Sequence, residues 1–116
     1  MTWLAIFIGG GLGSLARFGV SKLTLQFWSS QFPLATFISN VVSCLVLGLF
    51  VYKFHDASNT LKALIIIGFC GGFSTFSTFS YETLALIKQS EWMFVIANIL
   101  ISVSACLLVL WVLAKS

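Results

Sequence analysis

Two long stretches of this chain, Leu34–Tyr52 and Trp92–Ala114, contain no charged residue. A helix that crosses a bilayer needs about 20 predominantly apolar residues, and each stretch is long enough. The remainder is scarcely more polar: of 116 residues, 59% belong to the apolar set and 8% are charged. Soluble domains carry about 25% charged residues, so the deficit is roughly threefold. An ordinary soluble enzyme, a nucleic-acid binder and a disordered chain are excluded on that ground. So is a single-span anchor, because almost the whole length is apolar. The apolar runs are continuous rather than alternating, which excludes a transmembrane barrel.

Charges and turn residues divide the chain into four segments. The first runs from Trp3 to about Leu25. No basic region precedes it and no small-x-small site follows, so it is expected to remain as a span rather than serve as a signal peptide. Gln26 to Phe32 reads as a loop, and Pro33 suits a first helical position, where its missing N–H costs nothing. Leu34 to Tyr52 is the second span, and Lys53 to Lys62 a polar loop containing His55, Asp56, Ser58 and Asn59. Leu61 to Ile87 is the third segment. Trp92 to Ala114 is the fourth, with Trp92 and Trp111 near its ends as interfacial residues. The expected architecture is an all-α membrane protein, residues 1–116 forming one four-helix domain with spans at about 3–25, 34–52, 61–87 and 92–114.

The six basic residues are Arg17, Lys22, Lys53, Lys62, Lys88 and Lys115, giving a net charge of +3. They are scattered, as helix-end anchors are, and form no face for nucleic acid. With both termini on the cytoplasmic side they divide evenly between the two sides, so the positive-inside rule gives no orientation. Either short loops carry few signals, or the chain inserts both ways and pairs antiparallel. The three cysteines, Cys44, Cys70 and Cys106, match no metal or disulfide spacing and read as small apolar side chains.

Polar groups within the spans must find partners or line a cavity. Gly9 and Gly13 have the small-xxx-small spacing of closely approaching helices. Arg17 either snorkels to the headgroups or lines a wet vestibule. The second span carries Thr36, Ser39, Asn40 and Ser43. Asn40 lies two turns inside the bilayer, where its amide either joins helices or offers N–H donors to an anion. In the third segment, Gly71-Gly72 sits where paired glycines weaken a helix. A broken helix at that depth is tolerated only where it is buried in protein or lines a cavity. Its freed carbonyls suit a cation, and its restarted N-terminus an anion. Phe69, Phe73, Phe76 and Phe79 follow helical steps along one face. A phenylalanine stripe is usually packing, but the positive ring edges, beside the Ser77 and Thr78 hydroxyls, suit a partly dehydrated anion. Thr75, Thr78 and Glu82 form a neighbouring strip, with Glu82 near the far mouth or simply at a solvated helix end. In the fourth span Asn98 and Ser102, one turn apart, either continue a polar track or bond to a neighbouring helix.

The run Gly71-Gly72-Phe73-Ser74-Thr75-Phe76-Ser77-Thr78-Phe79-Ser80, with Glu82, resembles the signature of the Fluc/CrcB fluoride channels. Gly9-Gly10-Gly11-Leu12-Gly13-Ser14-Leu15-Ala16-Arg17-Phe18 is similar to that family's glycine-rich opening, and Pro33 to Asn40 to the start of its second helix. The resemblance covers all four spans. It implies an antiparallel, dual-topology dimer in a prokaryotic inner or plasma membrane, with a break in the third helix of each chain. It also implies two passive fluoride pores along the dimer interface and a structural sodium ion at the centre. The sodium would be held by the backbone carbonyls of Gly71 and Ser74. Asn40, Phe76, Ser77, Thr78, Phe79 and Ser102 would line the pore; Arg17, Glu82 and Asn98 would lie in or near a vestibule. The expected partners are fluoride, lipid and a second copy or a paralogous chain, with no organic cofactor, no nucleic acid and no enzymatic activity. Two other classes are open to a chain of this length and composition. A proton-coupled small multidrug transporter requires an acid in the first helix, where this chain has Arg17. A non-transporting assembly subunit would not need hydroxyls, an amide and paired glycines on converging faces.

Overall fold

In the computed structural model, which describes residues 1–29, 32–54, 56–74 and 76–115, the described residues are helical with no strand. Four helical stretches are long and apolar enough to cross a membrane: Thr2–Phe27, Leu34–Lys53, Asn59–Lys88 and Trp92–Lys115. The first is one helix, α1 (Thr2–Phe27). The second is α2 (Leu34–Gly48), continued by a wider π-turn segment, Leu49–Lys53. The third consists of α3 (Asn59–Lys62), a π segment (Ala63–Phe69), α4 (Cys70–Phe73) and α5 (Phe76–Lys88). The fourth is α6 (Trp92–Lys115). His55 and Thr75, which belong to the expected polar loop and hydroxyl strip, lie outside the described residues.

Local chemistry explains several helix ends. The Ser58 hydroxyl accepts a bond from Leu61 N at 3.1 Å, so an N-cap opens the third span. Pro33 is the residue before α2 rather than its first helical residue. Its φ of −76° suits a helix but its ψ of 74° does not; its carbonyl nevertheless accepts from Phe37 N at 3.1 Å, so the ring aims the chain into the first turn. At the end of α5, Ser90 takes φ 58°. Ser90 N donates to Ile87 O and Glu91 N to Leu86 O, both at 3.0 Å. This is the paired closure that lets a helix stop abruptly, and it turns the chain directly into α6.

The interior is made mostly of small and polar side chains, joined by Phe73, Leu86 and Val95, while many large apolar ones face outward. The side chains buried most completely are Asn98 and Ser39. Ala5, Gly9 and Gly13 of α1 are buried, as are Ala63, Gly68 and Cys70 of the third span. Phe7, Leu15 and Phe18 are exposed. Lipid solvates these as well as another apolar chain would, so helix contacts in a membrane are made by close-approaching small residues.

That approach is tightest between α1 and the third span. A side-chain carbon on Gly9 would meet Leu64 O and come within 3.0 Å of Phe69 N. One on Gly13 would meet Phe69 O and lie 2.8 Å from Phe73 N. From the other side, one on Gly72 would collide with Gly10 O, and one on Gly68 would be 2.9 Å from Ile6 O. The Gly9–Gly13 spacing thus meets a matching Gly68–Gly72 spacing. This changes the role expected for Gly71-Gly72. Both lie within the helical turn of α4, Gly72 held by α1, and the backbone first becomes extended at Ser74 (φ −98°, ψ 152°).

Candidate functional site

Several of the residues expected from the sequence lie on α4 and α5, and Arg17 and Asn98 bond to these helices from α1 and α6. Cys70 O is the hub of the turn: it accepts from Ser74 N at 3.1 Å, Ser74 Oγ at 2.9 Å and Ser43 Oγ at 3.2 Å. Cys70 Sγ donates back to Ser43 O at 3.6 Å. The second span is thereby bonded to the first residue of α4. From the opposite side Arg17 Nε donates to Gly72 O at 3.3 Å. The half-buried Arg17 therefore turns into the bundle instead of snorkelling outward. A helix end leaves its last carbonyls without intrahelical partners and partly negative, and a guanidinium N–H is a strong answer to one of them.

The expected phenylalanine stripe divides. Phe69 and Phe73 stack, with ring centroids 5.3 Å apart, and Phe73 is buried. Phe76 and Phe79 form a second, tilted pair at 5.9 Å, with Phe76 80% exposed. The extended backbone of Ser74 lies between the two pairs in the sequence. Ser77 is exposed beside Phe76, while Thr78 and Phe79 are half-buried.

On α2, Asn40 is half-buried, one turn before Cys44. Thr36, one turn earlier still, is buried beside the Glu82 carboxyl. Glu82 Oε1 is buried without a hydrogen-bond partner among the described residues. The carboxyl borders a cleft of about 310 Å³ at one end of the bundle, lined among others by Thr24, Trp28, Pro33, Tyr81 and Gln89. Glu82 thus lines this cleft rather than standing free at a solvated helix end. Asn98 and Ser102 belong to one network. Asn98 Nδ2 donates to Thr83 Oγ1 at 2.9 Å, Thr83 Oγ1 donates to Phe79 O at 2.8 Å, and Ser102 Oγ donates to Asn98 Oδ1 at 3.3 Å. This ties α6 to α5.

Sequence reasoning missed the Gly68–Gly72 half of the glycine seam, the Thr83–Asn98 bond and the Ser43–Cys70 exchange. The four-residue spacing of those two glycines is visible in the sequence, but the expectation there rested on the adjacent pair Gly71-Gly72 as a helix weakener. The other two pairings join separate spans and left no local signal.

The family model described as "CrcB-like protein, Camphor Resistance (CrcB)" matches residues 4–113. The chain is 39% identical over 115 residues to a protein named "Fluoride-specific ion channel FluC" from Coxiella burnetii (strain CbuK_Q154), covering 96% of this chain and 93% of that one. A protein of the same name from Dehalococcoides mccartyi (strain CBDB1) is 41% identical over 112 residues, covering 94% and 86%. Another, from Pyrococcus abyssi, is 39% identical over 111 residues, covering 89% and 88%.

Proposed function

The chain belongs to the CrcB family, and on that premise we propose that it is a fluoride-specific ion channel, a multi-pass membrane protein that lets fluoride leave the cytoplasm passively. One observation carries the reading: relatives matching nearly the whole chain, all four spans included, bear that name. It is a channel rather than an enzyme, a drug transporter or an assembly subunit.

The site chemistry supports the reading. Fluoride is small and tightly hydrated, so shedding water requires several donors held close together. Ser77 and Thr78 hydroxyls, the Asn40 amide, the Ser102 hydroxyl and the ring edges of Phe76 and Phe79 supply them without a fixed positive charge. Conduction requires binding weak enough for release, and neutral donors meet that condition. Arg17, bonded to Gly72 O, serves in this reading to hold the pore wall, and Asn98 to orient Ser102. Glu82 marks the recess at the mouth.

The working unit is an antiparallel, dual-topology dimer of this chain with itself or with a paralogous chain. Phe76, Ser77, Ser80 and Gly71 are exposed on a single chain, and polar groups at membrane depth need protein or a water-lined cavity against them. In this reading the third helix is broken between α4 and α5, and a sodium ion lies between the breaks of the two copies. The chain's chemistry fits such an ion. Cys70 O and Gly72 O are already bonded, Gly71 has nothing within 4 Å of where a side chain would project, and Ser74 is extended. Gly71 and Ser74 carbonyls from each copy would be hard, neutral ligands at helix ends, suited to such an ion. When bound, it would supply the positive charge that draws the two helix ends together.

The test is efflux from liposomes containing only this chain, loaded with fluoride and followed with a fluoride electrode, alongside chloride-loaded liposomes. Rapid fluoride efflux with negligible chloride efflux is expected. Equal efflux of both ions would refute selectivity. Efflux appearing only after a paralogous chain is added would replace the homodimer with a heterodimer.

A further inference from the structure

We propose that Cys44 and Cys106 form a two-thiol site for a soft, two-coordinate cation of the mercury(II), silver(I) or copper(I) class. The register of α2 against α6 brings the pair together. A side-chain carbon on Gly48 would meet Leu113 Cδ1 at 2.5 Å and Leu110 Cδ2 at 3.3 Å. One turn back along each helix stand Cys44 and Cys106, because residues four apart lie one above the other. That register sets the two thiols opposite each other across the contact of α2 with α6, and both side chains are half-buried. The third thiol, Cys70, is turned to Ser43 O at 3.6 Å.

The ligand set decides the class of metal. Thiolates are soft and select soft cations. Among the described residues no three His, Cys, Asp or Glu side chains converge, so a cation that demands a closed four-ligand cage, as structural zinc does, lacks ligands here. A cation satisfied by two opposed sulfurs needs only this pair. Binding is a ligand exchange without electron transfer. Both S–H bonds break, two S–metal bonds form, and the two protons pass to solvent. Mercuric chloride, being neutral, crosses the lipid to reach the pair and releases two chlorides as it is captured. Cys44 is one turn from Asn40 and Cys106 one turn from Ser102. Any effect of the metal on flux therefore rests on the pore reading of those residues, whereas the binding itself does not.

The purified chain in detergent, treated with one equivalent of mercuric chloride, would be weighed by native mass spectrometry. A bridged adduct gains one mercury and loses two protons, whereas a single thiol keeps one chloride on the metal. We expect the bridged adduct for the wild type and for Cys70→Ser, and only chloride-bearing adducts for Cys44→Ser and Cys106→Ser, all eluting as folded protein in gel filtration. A wild type carrying only chloride-bearing adducts would overturn the proposal. So would a bridged adduct that survives Cys44→Ser or Cys106→Ser, or one lost in a folded Cys70→Ser.

Discussion

Gly13→Ala places a methyl group where the backbone of the third span already lies. Its carbon would meet Phe69 O and stand 2.8 Å from Phe73 N and 3.1 Å from Phe69 C. None of these atoms belongs to a flexible side chain, so relief requires α1 to move away by roughly 1 Å, restoring ordinary van der Waals separation. Because the seam is shared with Gly9, Gly68 and Gly72, the same movement loosens contacts along several turns, and overpacking of this kind costs about 1–3 kcal/mol. Alanine returns about 0.5–1 kcal/mol through its better helix propensity. Gly11 is the internal control: it is exposed with nothing within 4 Å, so Gly11→Ala keeps that gain without the clash. The alanine gain cancels between the two variants, so they should differ by the clash alone, about 1–3 kcal/mol, or roughly 5- to 150-fold in the folded-to-unfolded ratio. Titration with a denaturing detergent, followed by the fluorescence of Trp3, Trp28, Trp92 and Trp111, measures this. Equal midpoints for Gly13→Ala and Gly11→Ala would refute the seam as the element that holds α1 in place.

Arg17→Gln removes a charged donor from Gly72 O and should cost about 1–3 kcal/mol in the same titration; an unchanged midpoint would mean the bond contributes nothing to the fold. Asn98→Ala strips Thr83 and Ser102 of a shared partner and should cost about 1–2 kcal/mol, the range for hydrogen bonds between membrane helices. A variant with wild-type stability but reduced fluoride efflux would instead make Asn98 a pore group. Ser90→Gly relieves the left-handed backbone at φ 58° and should raise stability by about 0.5–1 kcal/mol, visible as a later midpoint; an earlier one would contradict the helix-end geometry. Phe76→Ile and Phe79→Ile should each reduce fluoride efflux from liposomes at least tenfold while the protein elutes unchanged in gel filtration. Normal efflux in both would remove ring edges from the account of anion passage.

What the sequence determined by itself was the solvent and the element count. Uncharged runs such as Leu34–Tyr52 leave the backbone no option in a bilayer but to bond within its own helix, and that constraint is local. The third-span motif was legible for the same reason, since glycines, hydroxyls and rings at fixed spacing advertise themselves along a single helix. Pairings between spans were not legible. Gly72 looked like a helix breaker until α1 was placed against it, Arg17 had two destinations until Gly72 O was seen beside it, and Cys44 and Cys106 looked inert until α2 and α6 were set in register. The phenylalanine stripe carried no sign that Phe73 is buried and Phe76 exposed, because burial depends on what each helix packs against. In a membrane no hydrophobic force between helices selects partners, so fit between small residues and a few polar bonds does. Those are properties of two surfaces brought together, and only the tertiary structure holds both.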